Sequence, residues 1–168
     1  MAEKALALRV EELRDALAYD PETGLFHWKV SRSAWAKAGT VAGSLNNHGY
    51  TKIMFKRRMH AAHRLAWFYV YGEWPAHQID HINGDRTDNR LINLRVADNK
   101  QNQENIGLRS NNTTGFRGVS FNKKSKMYEA HIRHNGKKIC LGMFFSAKVA
   151  AEAARKARQD FFTHNART

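Results

Sequence analysis

The stretch Gln78-Ile-Asp-His-Ile-Asn-Gly-Asp-Arg-Thr-Asp-Asn-Arg-Leu-Ile-Asn-Leu-Arg-Val-Ala-Asp-Asn-Lys-Gln-Asn-Gln-Glu-Asn-Ile106 decides the fold of the middle of the chain. Gln78 to Ile82 is a short extended run. Asn83-Gly84-Asp85 followed by Thr87-Asp88-Asn89 is turn chemistry, because Asn and Asp bond their own backbone two residues on and Gly accepts a positive φ. A second short strand, Asn93 to Val96, follows. Asp98 with Gln101 three residues later is a helix start, in which Asp accepts from free amides and Gln reaches back. The predicted unit is strand, loop, strand, helix, with Asp80 and His81 on the first strand and Asn102, one turn into the helix, pointing back at them.

Asp80-His81, then Asn93, then Asn102, together with Ile79-Asp-His-Ile-Asn-Gly-Asp-Arg and Asp88-Asn-Arg, resembles the HNH endonuclease motif, the ββα-metal fold, in the version common in phage homing endonucleases. The resemblance implies a metal-dependent nuclease. A hard divalent cation takes oxygen ligands, so Asp80 and the amide oxygen of Asn102 suit Mg²⁺ or Mn²⁺, with waters and a substrate phosphate completing the shell. Neutral His81 would accept a proton from the attacking water. The resemblance gives Asn93 a bracing role between the two strands. Many HNH enzymes carry His where this chain has Asn102, which disfavours tightly held zinc.

With 168 residues and 42% hydrophobic composition, the chain can build one full domain or two small ones. It has no apolar run of the roughly 20 residues that a membrane span needs. Met1-Ala-Glu-Lys lacks the form of a secretory signal, so a cytoplasmic location, in a bacterial host for a phage-type protein, is the expectation. The single Cys140 excludes an internal disulfide and a paired-cysteine zinc knuckle. The net charge is +13, and residues 105 to 168 hold thirteen Lys/Arg against three Asp/Glu, a net +10 of that excess. Such a surface suits a polyanion and predicts steep salt dependence. No long basic amphipathic helix argues for a membrane surface.

Upstream, Val10, Leu13 and Leu17 have the spacing of a short helix over Val10 to Leu17. Leu25 to Val30 and Tyr50 to Phe55 read as strands, with Asn46-Asn-His-Gly49 as the turn between them. Ala61 to Tyr71 reads as a helix ending before Gly72. Ala62-His-Arg-Leu-Ala-Trp67 also resembles what precedes the motif in phage HNH proteins. His63 reads as a surface or packing residue, with a place near the metal or a phosphate as the alternative, and Lys52, Lys56, Arg57, Arg58 and Arg64 offer a phosphate-contacting edge.

Asn105 to Asn112 is polar, without period, and reads as a linker. Beyond it, Phe116 to Asn122, Met127 to His134 and Lys137 to Phe145 are strand-like, and Asn135-Gly136 is a hairpin signal of the type I′ kind. Ser146 reads as the cap of a helix from Ala147 to about Phe162, with Ala150, Ala153, Ala154, Ala157 and Phe161 inward. Alternation puts Tyr128, Ala130, Ile132, Ile139, Leu141 and Met143 on the helix side and Glu129, His131, Arg133, Lys138 and Cys140 on an open basic face. Arg117-Gly-Val119, Ala130 with Ile132-Arg133, Leu141-Gly with Phe144 and the Ala-rich helix resemble the plant Apetala/ethylene-response-factor DNA-binding domain. The resemblance implies DNA contacts from Arg117, Arg133 and Lys138, and Ser120 and His131, at further contact positions of the pattern, are read as contacts with them. Ser120, Asn122, His131 and Cys140 depart from the plant pattern, so no target sequence transfers.

The expected fold is α+β: an HNH module with N-terminal strands and helix over residues 1–104, a linker at 105–112, and a three-stranded antiparallel sheet plus one helix over 113–168. The expected function is a metal-dependent, homing-like DNA endonuclease acting on double-stranded DNA as a monomer, with no small-molecule cofactor and no membrane partner. A DNA-binding regulator with a decayed nuclease motif is the alternative. An RNA binder is disfavoured, since the sheet lacks paired stacking aromatics.

Overall fold

The computed structural model describes residues 8–108 and 110–164, and the chain divides into two compact units, Met1–Val96 and Ala97–Thr168. The Met1–Lys4 reading and Arg109 of the expected linker lie outside the described residues. Helices and small antiparallel sheets alternate throughout, which is the α+β class expected.

In the first unit, α1 (Val10–Ala16) carries Leu13 fully into the core and runs directly into β1 (Leu17–Tyr19). β1 pairs antiparallel with β2 (Phe26–Trp28), Leu17 opposite Trp28 and Tyr19 opposite Phe26. β3 (Ser44–Leu45), β4 (Thr51–Phe55) and β5 (Arg58–Ala61) form a second sheet in that order. The turn at Asn46–Gly49 therefore joins β3 to β4, not β2 to β4 as its position between two strand-like runs suggested. Three strands escaped pattern reading, the two-residue β3 among them. β1 is three residues long and continues a helix, and β5 begins after Lys56 and Arg57, which take φ of 48° and 61° without the Gly or Asn that signals such a turn.

Helix α2 (Ala62–Tyr71) ends at Gly72, whose φ of 75° lets its amide bond Phe68 O at 2.9 Å. Leu65, Ala66 and Phe68 meet Leu13, Leu17, Phe26 and Ile53 in one core. Burial of each large side chain there stabilises by roughly 1.5–3 kcal/mol. Tyr19, Phe26 and Tyr69 form a ring cluster with centroids 4.9 to 6.0 Å apart. β6 (Gln78–His81) pairs with β7 (Leu94–Ala97), and Ile79 and Leu94 pin this hairpin to the same core. Asn93 closes a 3₁₀ turn, Leu91–Asn93, immediately before β7 and is not on the strand itself.

The second unit opens with α3 (Asn99–Glu104), capped as expected: Asp98 Oδ1 accepts from Gln101 N and Asp98 N donates to Gln101 Oε1, both at 2.8 Å. Buried Glu104 accepts at Oε2 from Thr163 N, Thr163 Oγ1 and His164 N at 2.9, 3.1 and 3.2 Å. Those bonds tie the end of α3 to the chain beyond the last helix, within this unit.

β8 (Val119–Asn122), β9 (Met127–His134) and β10 (Lys137–Phe144) form a sheet of order β10-β9-β8, and α4 (Ala147–Phe161) lies on one face. Asn135 and Gly136 take φ of 50° and 74° in the β9–β10 turn. Alternation fails at one place. A bulge between Cys140 and Gly142 shifts the register, so Met143 pairs with Glu129 and Phe144 with Tyr128. Met143 is thereby moved off the helix side, and Phe144 packs with Val119, Ala130, Ala150 and Ala154 instead. On α4, Phe161 is 48% exposed, whereas Arg158 is 5% exposed and takes the inward place expected of an apolar residue.

Candidate active site and nucleic-acid interface

β6 presents Asp80 and His81 side by side, both buried. Asp80 Oδ2 accepts from Arg95 Nε at 3.0 Å and Nη2 at 2.8 Å, across the β6–β7 hairpin. His81 Nε2 lies 3.2 Å from Asn89 Oδ1. Asn89 Nδ2 donates to Thr87 O at 3.0 Å, so the amide oxygen is the atom turned toward the ring. His81 Nε2–H is then the donor, and the lone pair of the neutral ring sits on Nδ1. Burial lowers the His81 pKa, with the Asn89 bond and the charges of Asp80, Asp85 and Asp88 opposing the shift. The ring is therefore neutral near pH 7, and those carboxylates favour the imidazolium that forms when it takes a proton.

The loop after β6 is held by its own polar side chains. Asn83 Nδ2 donates to Asp88 Oδ2, Asp85 N donates to Asn83 Oδ1, and Thr87 donates through N and Oγ1 to Asp85 Oδ1, all within 2.9 Å. Arg90 clamps Asp88 with two bonds of 2.8 and 2.7 Å, which hold that carboxyl down to a pKa of about 2. Asn93 accepts at Oδ1 from Asn83 N at 2.9 Å and donates from Nδ2 to Asp88 O at 2.8 Å, while its backbone O takes the Ile82 amide. It thus bonds to both ends of the loop.

Sequence reading missed three supports of this site. Asn89, the partner of His81, stood in plain view only as a turn residue. Tyr19 donates its hydroxyl to Asn89 O at 2.8 Å, and burial pushes its pKa up to about 12. Gly24, at φ 73°, lies so close that a Cβ there would stand 2.4 Å from Arg90 N and 2.6 Å from Asn89 C. Nothing local in the sequence links residues 19 and 24 to residue 89. His63, read as a surface or packing residue or as one near the metal or a phosphate, is packed beside His81. It is 9% exposed, meets His81 edge-on with centroids 5.0 Å apart, and stands 5.3 Å from Tyr50. Burial, with the neighbouring His81, Lys52 and Arg64, lowers its pKa to about 3, and its Nδ1 has no hydrogen-bond partner.

Asn102 lies in α3, half-buried, in the second unit. An acidic or histidine cluster of three or more that could hold a metal is absent among the described residues. The Asp80 carboxylate on β6 is an oxygen donor of the kind that a weakly held Mg²⁺-like ion takes while keeping several waters. Arg95 already engages one oxygen of Asp80, so an ion there would share or displace that partner.

Of the residues read as DNA contacts, Arg64 donates to His77 O at 3.1 Å and lies over Trp74. In the second unit, Ser120, Arg133 and Lys138 are exposed and His131 is half-buried; Lys138 is ion-paired with Glu129, its neighbour on the same face. Arg117 donates to Glu104 O at 2.7 Å and lies over Phe162. Among the described residues no helix is long and apolar enough to cross a membrane.

Comparisons with known proteins bear on the first of these sites. No solved structure matches the chain. Protein 3.8 of Escherichia phage T7 is 34% identical over 76 residues, which are 45% of this chain and 63% of that protein, so the chain spans less than two thirds of that relative. Residues 60–104, from β5 through α2, the β6–β7 hairpin and α3, match the family described as HNH endonuclease.

Proposed function

We propose that the chain is a metal-dependent endonuclease that hydrolyses phosphodiester bonds in duplex DNA. The observation that carries this reading is His81: a buried, neutral imidazole whose tautomer is set by Asn89, next to Asp80, inside the segment that matches HNH endonucleases. In this reading His81 Nδ1 takes the proton of the attacking water. Asn89 holds the ring, and the carboxylates of Asp80, Asp85 and Asp88 stabilise the imidazolium. Asn93 keeps the loop at a fixed span. Asp80 and Asn102 would hold a divalent ion, Mg²⁺ or Mn²⁺, which when bound supplies charge stabilisation at the phosphate and the leaving 3′ oxygen. The basic C-terminal unit, with its likeness to the Apetala-type domain, would hold the duplex through Arg117, Ser120, His131, Arg133 and Lys138, with Arg64 adding a contact from the first unit. Linking it to the nuclease raises the local concentration of the cutting site.

One observation favours the second reading, a DNA-binding regulator that does not cut. The Arg95 guanidinium already neutralises Asp80. Supercoiled plasmid incubated with the protein and Mg²⁺ or Mn²⁺ decides between them: nicked or linear product that EDTA abolishes is the expected result. Specific, salt-sensitive binding with no product under any divalent ion overturns the enzyme reading in favour of the regulator.

A further inference from the structure

Arg158 is buried in the second unit without a carboxylate to neutralise it among the described residues. Its Nη1 donates to Arg117 O at 3.0 Å, and its Nε has no hydrogen-bond partner. Burial, and secondarily Arg155, lowers its pKa. A desolvated guanidinium with an unmet N–H is costly to the fold, and an anion is the natural complement. The surroundings are built for one. Arg158 stands at the wall of a cavity of about 820 Å³, within the size range of small-ligand sites. Lys100, Arg117, Arg133 and Lys138 line the same cavity, Lys138 paired with Glu129, and the carboxylate of the wall is Glu104, whose Oε2 takes Thr163 and His164 and whose Oε1 lies 4.0 Å from His134 Nδ1. His131 on the wall also has a buried Nδ1 without a partner.

Gly118 makes the arrangement possible. At φ 78° it lets the backbone pass beneath the guanidinium, whereas a Cβ would stand 2.5 Å from His131 O and 3.4 Å from Arg158 Nη1. The guanidinium thereby stands against the Arg117–Gly118 backbone, with Nη1 on Arg117 O and Nε unpartnered. A planar edge of N–H donors is the geometry that takes two oxygens of a tetrahedral anion.

We propose that this cavity is a phosphate-binding site with Arg158 at its base, lined where it meets the exposed face of the sheet by Arg133 and Lys138. The phosphate is that of a nucleic-acid strand or a free phosphate compound, and the chemistry of the wall is the same for both. The site rests on and deepens the reading that this unit holds DNA, since it shares Arg117, His131, Arg133 and Lys138 with it, but it involves neither His81 nor Asp80 and so is independent of the nuclease reading.

The test uses the full chain in EDTA, so that cleavage plays no part. Inorganic phosphate and a short DNA duplex are titrated separately into wild type, Arg158→Met and Arg155→Met. Arginine Nε–H signals are followed by NMR and duplex affinity by fluorescence anisotropy. Arg155 is a control, since it pairs with Glu152 on the exposed side of α4. Wild type is expected to show one arginine Nε–H signal that moves with phosphate and is missing from Arg158→Met. Affinity should fall roughly tenfold in that variant, the scale of one charge-assisted hydrogen bond, and stay unchanged in Arg155→Met. Loss with both ligands supports a general phosphate site, loss with duplex alone identifies strand phosphate as the source, and loss with inorganic phosphate alone identifies a small phosphate compound. If no arginine Nε–H signal moves with either ligand in wild type, the proposal is overturned. That measurement stands even where Arg158→Met does not fold. Arg133→Gln and Lys138→Gln remove cations shared by the cavity and the sheet face, so duplex affinity that falls in these two variants but not in Arg158→Met assigns the phosphate to the open face and overturns the role of Arg158.

Discussion

In the first unit the buried nitrogen bases are two imidazoles, His63 and His81, kept neutral by desolvation and packed edge to face. In the second unit the buried base is Arg158, which cannot become neutral at any ordinary pH. A fold can bury histidine by letting it lose its proton, and the ring is then poised to take one. A buried arginine keeps its charge and has to be met by something else. On the readings proposed above, the contrast separates a unit that would move protons from a unit that would hold anions, and each prediction below strains one side of it.

The largest effect is expected from the imidazole with an assigned partner. His81→Ala should lower metal-dependent plasmid nicking by roughly 10²–10⁴-fold, the usual range for a general base. Asn89→Ala should retain the base but lose its tautomer, with a smaller fall and unchanged duplex affinity. Wild-type nicking rates in His81→Ala would remove His81 from the chemistry. The pH profile sharpens the same point. The working form is neutral and burial lowers the pKa, so the acid limb of the nicking rate should fall below the ordinary imidazole value of about 6.5.

Next comes the packing that fixes Asn89. Gly24→Ala forces a Cβ against Arg90 N and Asn89 C, both backbone, and should cost about 1–3 kcal/mol in the urea unfolding of the first unit. Gly39→Ala is the matched control. Its φ is 84° but nothing lies within 4 Å, so only the left-handed strain remains, on the order of 1 kcal/mol. Equal losses in the two variants would mean that the close approach at residue 24 is not what holds the loop.

How much of this was legible in the sequence follows from the range of each signal. The Asp98–Gln101 cap, the Asn135-Gly136 turn and the Gly72 stop are local, and local chemistry announces them. The β10 bulge is not, because Leu141 and Gly142 keep an apparent alternation while the register slips, so Met143 and Phe144 exchange faces. Arg158 hides for a related reason: helical spacing marks an inward position, and an arginine there reads as solvated until the cavity beside it is seen. At the candidate site, Asp80, His81 and Asn93 were legible as a spaced set. Tyr19 and Gly24, bonded and packed onto Asn89 from the far end of the unit, were not.

His63 offers a stability test of the neutral-imidazole side. Its folded pKa of about 3 lies below the unfolded value of 6.5, so the unfolded chain takes up the proton first as pH falls. Its contribution is complete above about pH 6.5 and is lost toward pH 3, with a slope of at most about 1.4 kcal/mol per pH unit. Urea midpoints between those limits should fall less steeply in His63→Leu than in wild type. Parallel curves would mean that His63 is not held neutral by the fold.

The smallest effect concerns the anion-holding side at its exposed edge. Arg133 is exposed on the open face of the sheet, whereas Lys138 beside it is already ion-paired with Glu129. A cation released from no partner gives its full charge to a phosphate, and one that must leave a carboxylate gives less. Arg133→Gln should therefore reduce the slope of log affinity against log salt by about 1, and Lys138→Gln by less, with duplex binding followed from roughly 50 to 200 mM salt. A larger change from Lys138 would mean that Glu129 yields the lysine to the strand. Unchanged slopes in both would remove the open face from the contact and would count equally against the cavity that these two side chains line.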